Sequence, residues 1–188
     1  MEMKGERTLA AERATAWKAL NDVSVLQASI PGCESLTVNA GGGYDLAVNA
    51  AIGPVKARFK GTLTLTDVEA PNRYTLRFES QGGQAGFARG QANVSLEDGA
   101  APKTTILGYV VSAQVGGRLA QVGSRLIDAA AAAMADQFFD AFARGLASLT
   151  STASAGPTSA AARATSPSPA RLGLWALIKS FLRRLFQK

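Results

Sequence analysis

The residues that usually carry chemistry are scarce in this chain. Its 188 residues include no histidine, which removes the commonest general base and the commonest metal ligand together. Catalysis would have to come from carboxylates, lysine or tyrosine. Cys33 is the only cysteine, so an intramolecular disulfide and a multi-cysteine metal site are both excluded. Beside Pro31-Gly32 it reads as a small buried residue. No carboxylate pair falls on positions that alternation would place inside, so general acid–base catalysis finds no couple. What recurs at regular spacing is apolar and aromatic, and that points to binding.

Such residues need particular elements to position them. Leu119, Val122, Leu126, Ala130, Met134, Phe138, Phe142, Gly145 and Leu149 recur every three or four residues from Arg118 to about Leu149, the signature of one long helix with one apolar face. Its middle is the run Ala129 to Ala133. Alanines are the best helix formers and also project almost no side chain, so the run suits helix propensity and a hollow beneath the helix equally.

Upstream, Met3, Gly5, Arg7 and Leu9 alternate with polar neighbours as a first strand. Glu12 to Leu20 and Val23 to Ile30 read as two short helices, stopped by Pro31-Gly32. About six antiparallel strands follow. The clearest alternation puts Val55, Ala57, Phe59, Gly61, Leu63 and Leu65 on one face, and Lys56, Arg58 and Lys60 with threonines on the other, a row expected to be solvated. A later strand offers Gly86, Ala88, Gly90, Ala92, Val94 and Leu96 as its inner set. Small inward residues leave volume unless large neighbours reach across, because interiors are otherwise close-packed.

This order predicts an α+β fold, a curved antiparallel sheet around a long C-terminal helix. The inward positions Phe59, Leu63, Phe78, Ala92, Tyr109, Leu126, Ala130 and Met134 are the expected lining of an apolar pocket. Tyr109 is its polar candidate, or else a core tyrosine bonded elsewhere.

Charge separates the chain into parts. Of 20 basic residues, Arg163, Arg171, Lys179, Arg183, Arg184 and Lys188 lie after Thr150, where no acidic residue occurs. The remaining 14 balance the 14 acidic residues, so residues 1–149 form a neutral domain and nucleic-acid binding is not expected. Residues 150–170, rich in Ser, Thr, Ala, Gly and Pro, read as a flexible linker. Residues 171–188 read as an amphipathic helix: Leu174, Trp175, Ile178, Phe181, Leu182, Leu185 and Phe186 share one face, with Lys179, Arg183, Arg184 and Lys188 opposite. The segment is too short to span a bilayer, which needs about 20 apolar residues. It is expected to lie on an anionic membrane surface; the alternative is a groove on a protein partner. The start MEMKGER lacks an apolar run, so a cytoplasmic protein, peripheral on the inner membrane face, is expected.

Four ordered blocks carry a family resemblance: Ile30-Pro31-Gly32-Cys33-Glu34, Gly53 to Gly61, Ala85-Gly86-Phe87-Ala88-Arg89-Gly90, and Gln114 to Gln121, continued by Arg125-Leu126-Ile127-Asp128 and Met134 to Phe139. They resemble the CoxG family of carbon monoxide dehydrogenase proteins over essentially residues 1–149. The resemblance implies a helix-grip fold of the START and Bet v 1 type, which holds apolar ligands between sheet and helix. It also implies association with a molybdenum hydroxylase of the carbon monoxide dehydrogenase type, recruitment of that enzyme to the inner membrane, and a respiratory quinone as bound ligand. No catalytic residue set comes with it. A structural adaptor with a solid core uses the same surface and tail without a ligand, and bound-ligand content separates the two readings.

Overall fold

The computed structural model describes residues 1–154. The amphipathic segment 171–188 and all of the expected linker beyond Ser154 lie outside the described residues. Strand β1 (Glu2–Leu9) is followed by helices α1 (Arg13–Leu20) and α2 (Val23–Ser29). Strands β2 (Cys33–Val38), β3 (Tyr44–Ile52), β4 (Val55–Glu69), β5 (Arg73–Gln81), β6 (Phe87–Asp98) and β7 (Thr105–Gly116) come next, then helix α3 (Ser124–Ser154). The seven strands form one sheet in the order β1-β7-β6-β5-β4-β3-β2. Every neighbouring pair is antiparallel. This is the expected α+β helix-grip arrangement.

Register follows the alternation read from the sequence. Leu63 pairs with Tyr44 on one side and Phe78 on the other, and Phe78 pairs with Gly90. Leu65, Leu76, Ala92, Val111 and Met3 make the next inward row. Lys56, Arg58 and Lys60 are exposed on the opposite face of β4, as solvated cations should be. Helix α2 begins at Asp22, whose carboxylate accepts from the backbone N–H of Ser24 at 2.9 Å and of Val25 at 3.2 Å. Replacing Asp22 by alanine should cost about 1 kcal/mol of stability in urea unfolding.

The long helix differs from expectation in two ways. It does not start at Arg118: Gly117–Val122 is a 3₁₀ turn, and Gly123, at φ 91°, separates it from α3. A positive φ cannot continue a right-handed helix. The apolar face also runs differently at its ends. Leu126 is 41% and Leu149 38% exposed, while Ile127 is 9% and Leu146 2% exposed. A strict i, i+4 row drifts about 40° per step around a helix of 3.6 residues per turn, so by Leu126 it has left the face centred on Phe138 and Phe142, and Ile127 takes its place; Leu149 is in phase with that face, and its exposure is not a matter of drift.

Candidate ligand-binding site

The interior has two cores rather than one. The larger gathers Leu9, Leu20, Val25, Tyr74, Leu96, Leu107, Phe142 and Leu146 with the small residues of α1, and Trp17, Phe138 and Phe139 pack on its margin. The smaller consists of Phe59, Ala85 and Leu119, flanked by Val48, Ile52, Val55 and Val115. Between them lie Leu63, Phe78, Gly90, Ala92, Ala130 and Met134. All point inward by register or helical phase, all are half-buried, and none belongs to either core.

Strand β6 shows the change residue by residue. Ala88, Gly90 and Ala92 are half-buried, Val94 is 9% exposed and Leu96 1%. All five share one face of one strand, so only what lies above them differs. Above Val94 and Leu96 stand α1 and the C-terminal half of α3; the small residues are less covered.

Helix α3 is held at the borders of this region. Its backbone packs chiefly on α2 and α1, on the edge strand β1, on β3 and on the 3₁₀ turn before it, so it bridges the concave face near its borders. On the β1 side Arg7, inward-facing opposite Leu107, pairs with Asp136 of α3 and lies 5.4 Å over the Phe139 ring. On the β3 side Leu126 rests against Gly53. Ala130 and Met134 face the sheet by helical phase and are half-buried. Rings below lie flat instead of rising: Phe78 covers the place of a side chain at Gly90, and Phe59 covers that at Gly82. An open depression of about 360 Å³ beside Phe78, Gly90 and Ala113 is lined chiefly by Glu79, Arg89, Gln91, Ser112 and Gln114, so it opens on the outer face of the sheet and not beneath α3.

The expected lining residues are thus only partly brought together. Leu63, Phe78, Ala92, Ala130 and Met134 share the half-buried region between the two cores, and Phe59 belongs to the smaller core. Leu126 stands at the end of the domain. Tyr109 stacks on Phe139 at 5.3 Å, and its hydroxyl crosses Gly5 towards the β1 edge, so the ring is wall and the hydroxyl lies at the border.

Two further tyrosines share the inward parity, Tyr44 opposite Leu63 and Tyr74 opposite Val94; that parity was the signal by which the sequence could have nominated them. Burial pushes both phenols up, with the Asp22 carboxylate adding to it at Tyr44. They stay protonated, able to donate, at any physiological pH. Because their folded pKa is raised, their contribution to stability is intact below about pH 10 and declines as pH rises beyond it. The Cys33 thiol, half-buried, is also pushed up, chiefly by desolvation, the opposite of an activated nucleophile. Among the described residues no group of three or more Cys, Asp or Glu could hold a metal ion.

The chain's likeness to known proteins agrees with this geometry. The model of the CoxG family, described as a subunit of carbon monoxide dehydrogenase, matches residues 5–147. A conserved protein from Geobacillus kaustophilus is similar at 28% identity and TM-score 0.74, over 79% of this chain and 96% of its own. A START superfamily protein from Mycobacterium smegmatis shares the fold at 14% identity and TM-score 0.58, over 79% and 98%. The Zhui aromatase/cyclase from Streptomyces sp. R1128 does so at 11% and 0.61, over 82% and 98%. No curated protein matches the chain.

Proposed function

Because this chain belongs to the CoxG family of carbon monoxide dehydrogenase proteins, we propose that it is a non-catalytic accessory protein of such a dehydrogenase. In this reading it takes a respiratory quinone from the membrane into the hollow beneath α3 and presents it to the enzyme as electron acceptor. The family ties the chain to carbon monoxide dehydrogenase; the carrier role goes further. The observation that carries it is the split interior, with half-buried Leu63, Phe78, Ala92, Ala130 and Met134 between two packed cores. An interior that only held the fold together would close over such residues. Their chemistry suits a prenylated ring: apolar walls throughout, with phenols and Arg7 near the border.

The absence of histidine supports a role without catalysis. The aromatase/cyclase likeness, at 11% identity, speaks for fold alone.

Recruitment to the membrane rests on residues 171–188. Among the described residues no helix is long and apolar enough to cross a membrane. In the amphipathic tail each basic residue adds up to about 1 kcal/mol near an anionic leaflet, beyond the burial of Trp175, Phe181 and Phe186. Deleting 171–188 should move the protein from the membrane to the soluble fraction, and persistent membrane association would refute the assignment. High salt should weaken attachment without abolishing it, because screening leaves apolar burial untouched.

The carrier role is tested by supplying the purified dehydrogenase with carbon monoxide and vesicles containing quinone. Quinone reduction should depend on added full-length protein. Equal reduction without it would remove the carrier role.

A further inference from the structure

The antiparallel meander sorts the turns between two ends of the sheet, and charge sorts with them. At one end lie the β3–β4 turn Gly53-Pro54, the 3₁₀ turns Gly83–Ala85 and Gly117–Val122, and the first turn of α3. At the other lie the β2–β3, β4–β5 and β6–β7 connections. The first end carries Lys56, Arg58, Lys60, Arg89, Arg118 and Arg125 against Glu34, Glu79 and Asp128. The second carries Glu12, Asp67, Glu69, Glu97 and Asp98 against Arg13, Arg73 and Lys103. A domain that is neutral in sum is therefore bipolar.

At the basic end Arg58 is bound to Glu34 at 2.5 Å. Lys56, Arg118 and Arg125 are exposed and take part in none of the ion pairs among the described residues. They surround an apolar tip: Pro54 is exposed, Leu126 is 41% exposed against Gly53, and Ile52 and Val55 are half-buried. An apolar tip ringed by cations complements an anionic bilayer, whose headgroups meet the charges while the tip enters the acyl boundary.

We propose that this end of the domain docks on an anionic phospholipid surface, with Pro54 and Leu126 in the headgroup region and Lys56, Arg118 and Arg125 on phosphates. Its purpose rests on the carrier reading, but the docking itself needs no ligand. Only the smaller core, with three buried residues against twelve in the larger, separates this end from the hollow. The end with less buried apolar surface is the one that opens locally, so the domain faces the lipid with its weaker side. An acidic patch on a protein would also meet the cations, but it would not call for exposed Pro54 and Leu126.

The test uses the full chain with Cys33→Ser, and one new cysteine carrying a polarity-sensitive dye at either Pro54→Cys or, on the opposite end, Ala101→Cys. Vesicles are of phosphatidylglycerol or of phosphatidylcholine and contain no quinone, so a failed docking is distinguishable from a failed carrier. Helix α3 carries the chain towards the second end, so attachment by residues 171–188 alone does not favour position 54. Docking predicts a blue shift and loss of iodide quenching at position 54 alone, on phosphatidylglycerol alone. Charge reversal at Lys56, Arg118 and Arg125 should abolish that shift, since each basic residue is worth about fivefold in affinity for an anionic leaflet. Equal shifts at both positions, a shift at 101 only, or none, would overturn the proposal. A dye at 54 that responds only to the dehydrogenase would overturn it too and give this end to the enzyme.

Discussion

Replacing Ala130 by tryptophan is expected to lower affinity for a prenylated quinone on the order of a hundredfold while leaving the melting temperature almost unchanged. Ala130 is half-buried on the lower face of α3, one helical turn from Met134 and opposite no packed side chain of either core. An indole there occupies the space of roughly one five-carbon unit of the tail. At about 0.8 kcal/mol per buried CH₂, excluding about four of those carbons costs ~3 kcal/mol. The second readout protects the first. In a packed interior the same substitution would force side chains off their rotamers at about 1–3 kcal/mol. Lost binding with retained stability therefore reports a hollow, whereas a fall in stability reports a solid core. Isothermal titration in detergent and thermal unfolding of one preparation give both numbers.

The largest stability effect should come from Phe142→Ala. Phe142 is fully buried, stacks on Phe138 at 5.8 Å and sits in the larger core with Leu146 and Val25. Its truncation removes a whole ring from a close-packed site, a loss of about 3–5 kcal/mol, or roughly 10 °C in melting temperature for a domain of this size. Met134, two turns earlier on the same face, should behave otherwise. It is half-buried beside the hollow, so Met134→Ala removes contacts that are already incomplete and should cost about 1 kcal/mol or less. The contrast within one helix is the prediction. Equal losses at the two positions would mean that α3 is packed along its whole length.

Much of this architecture is legible in the sequence, because strand alternation and helix phase both express which face meets the core. The alternation of β4 and the small inner set of β6 are visible as written, and both land on the inward face. The start of α3 is not. Leu119 and Val122 keep a three-residue spacing that suits a 3₁₀ turn as well as an α-helix, and only Gly123 at positive φ marks the break. Tyr109 could be assigned to the inner face, but the course of its hydroxyl depends on Gly5 across the sheet, a contact between residues more than a hundred positions apart. The bipolar charge escapes a linear count for the same reason: hairpins bring Lys56, Arg118 and Arg125 together while the sum over the domain stays at zero.

The central claim is that the space between the two cores holds a quinone. The direct measurement is the lipid content of the full-length protein purified from a quinone-producing bacterium, extracted with organic solvent and identified by mass spectrometry, alongside its Ala130→Trp variant. The account predicts one quinone per protein in the first sample and almost none in the second. No quinone in either sample, with no uptake of added quinone, would contradict it and leave a protein that acts by its surface and its tail alone.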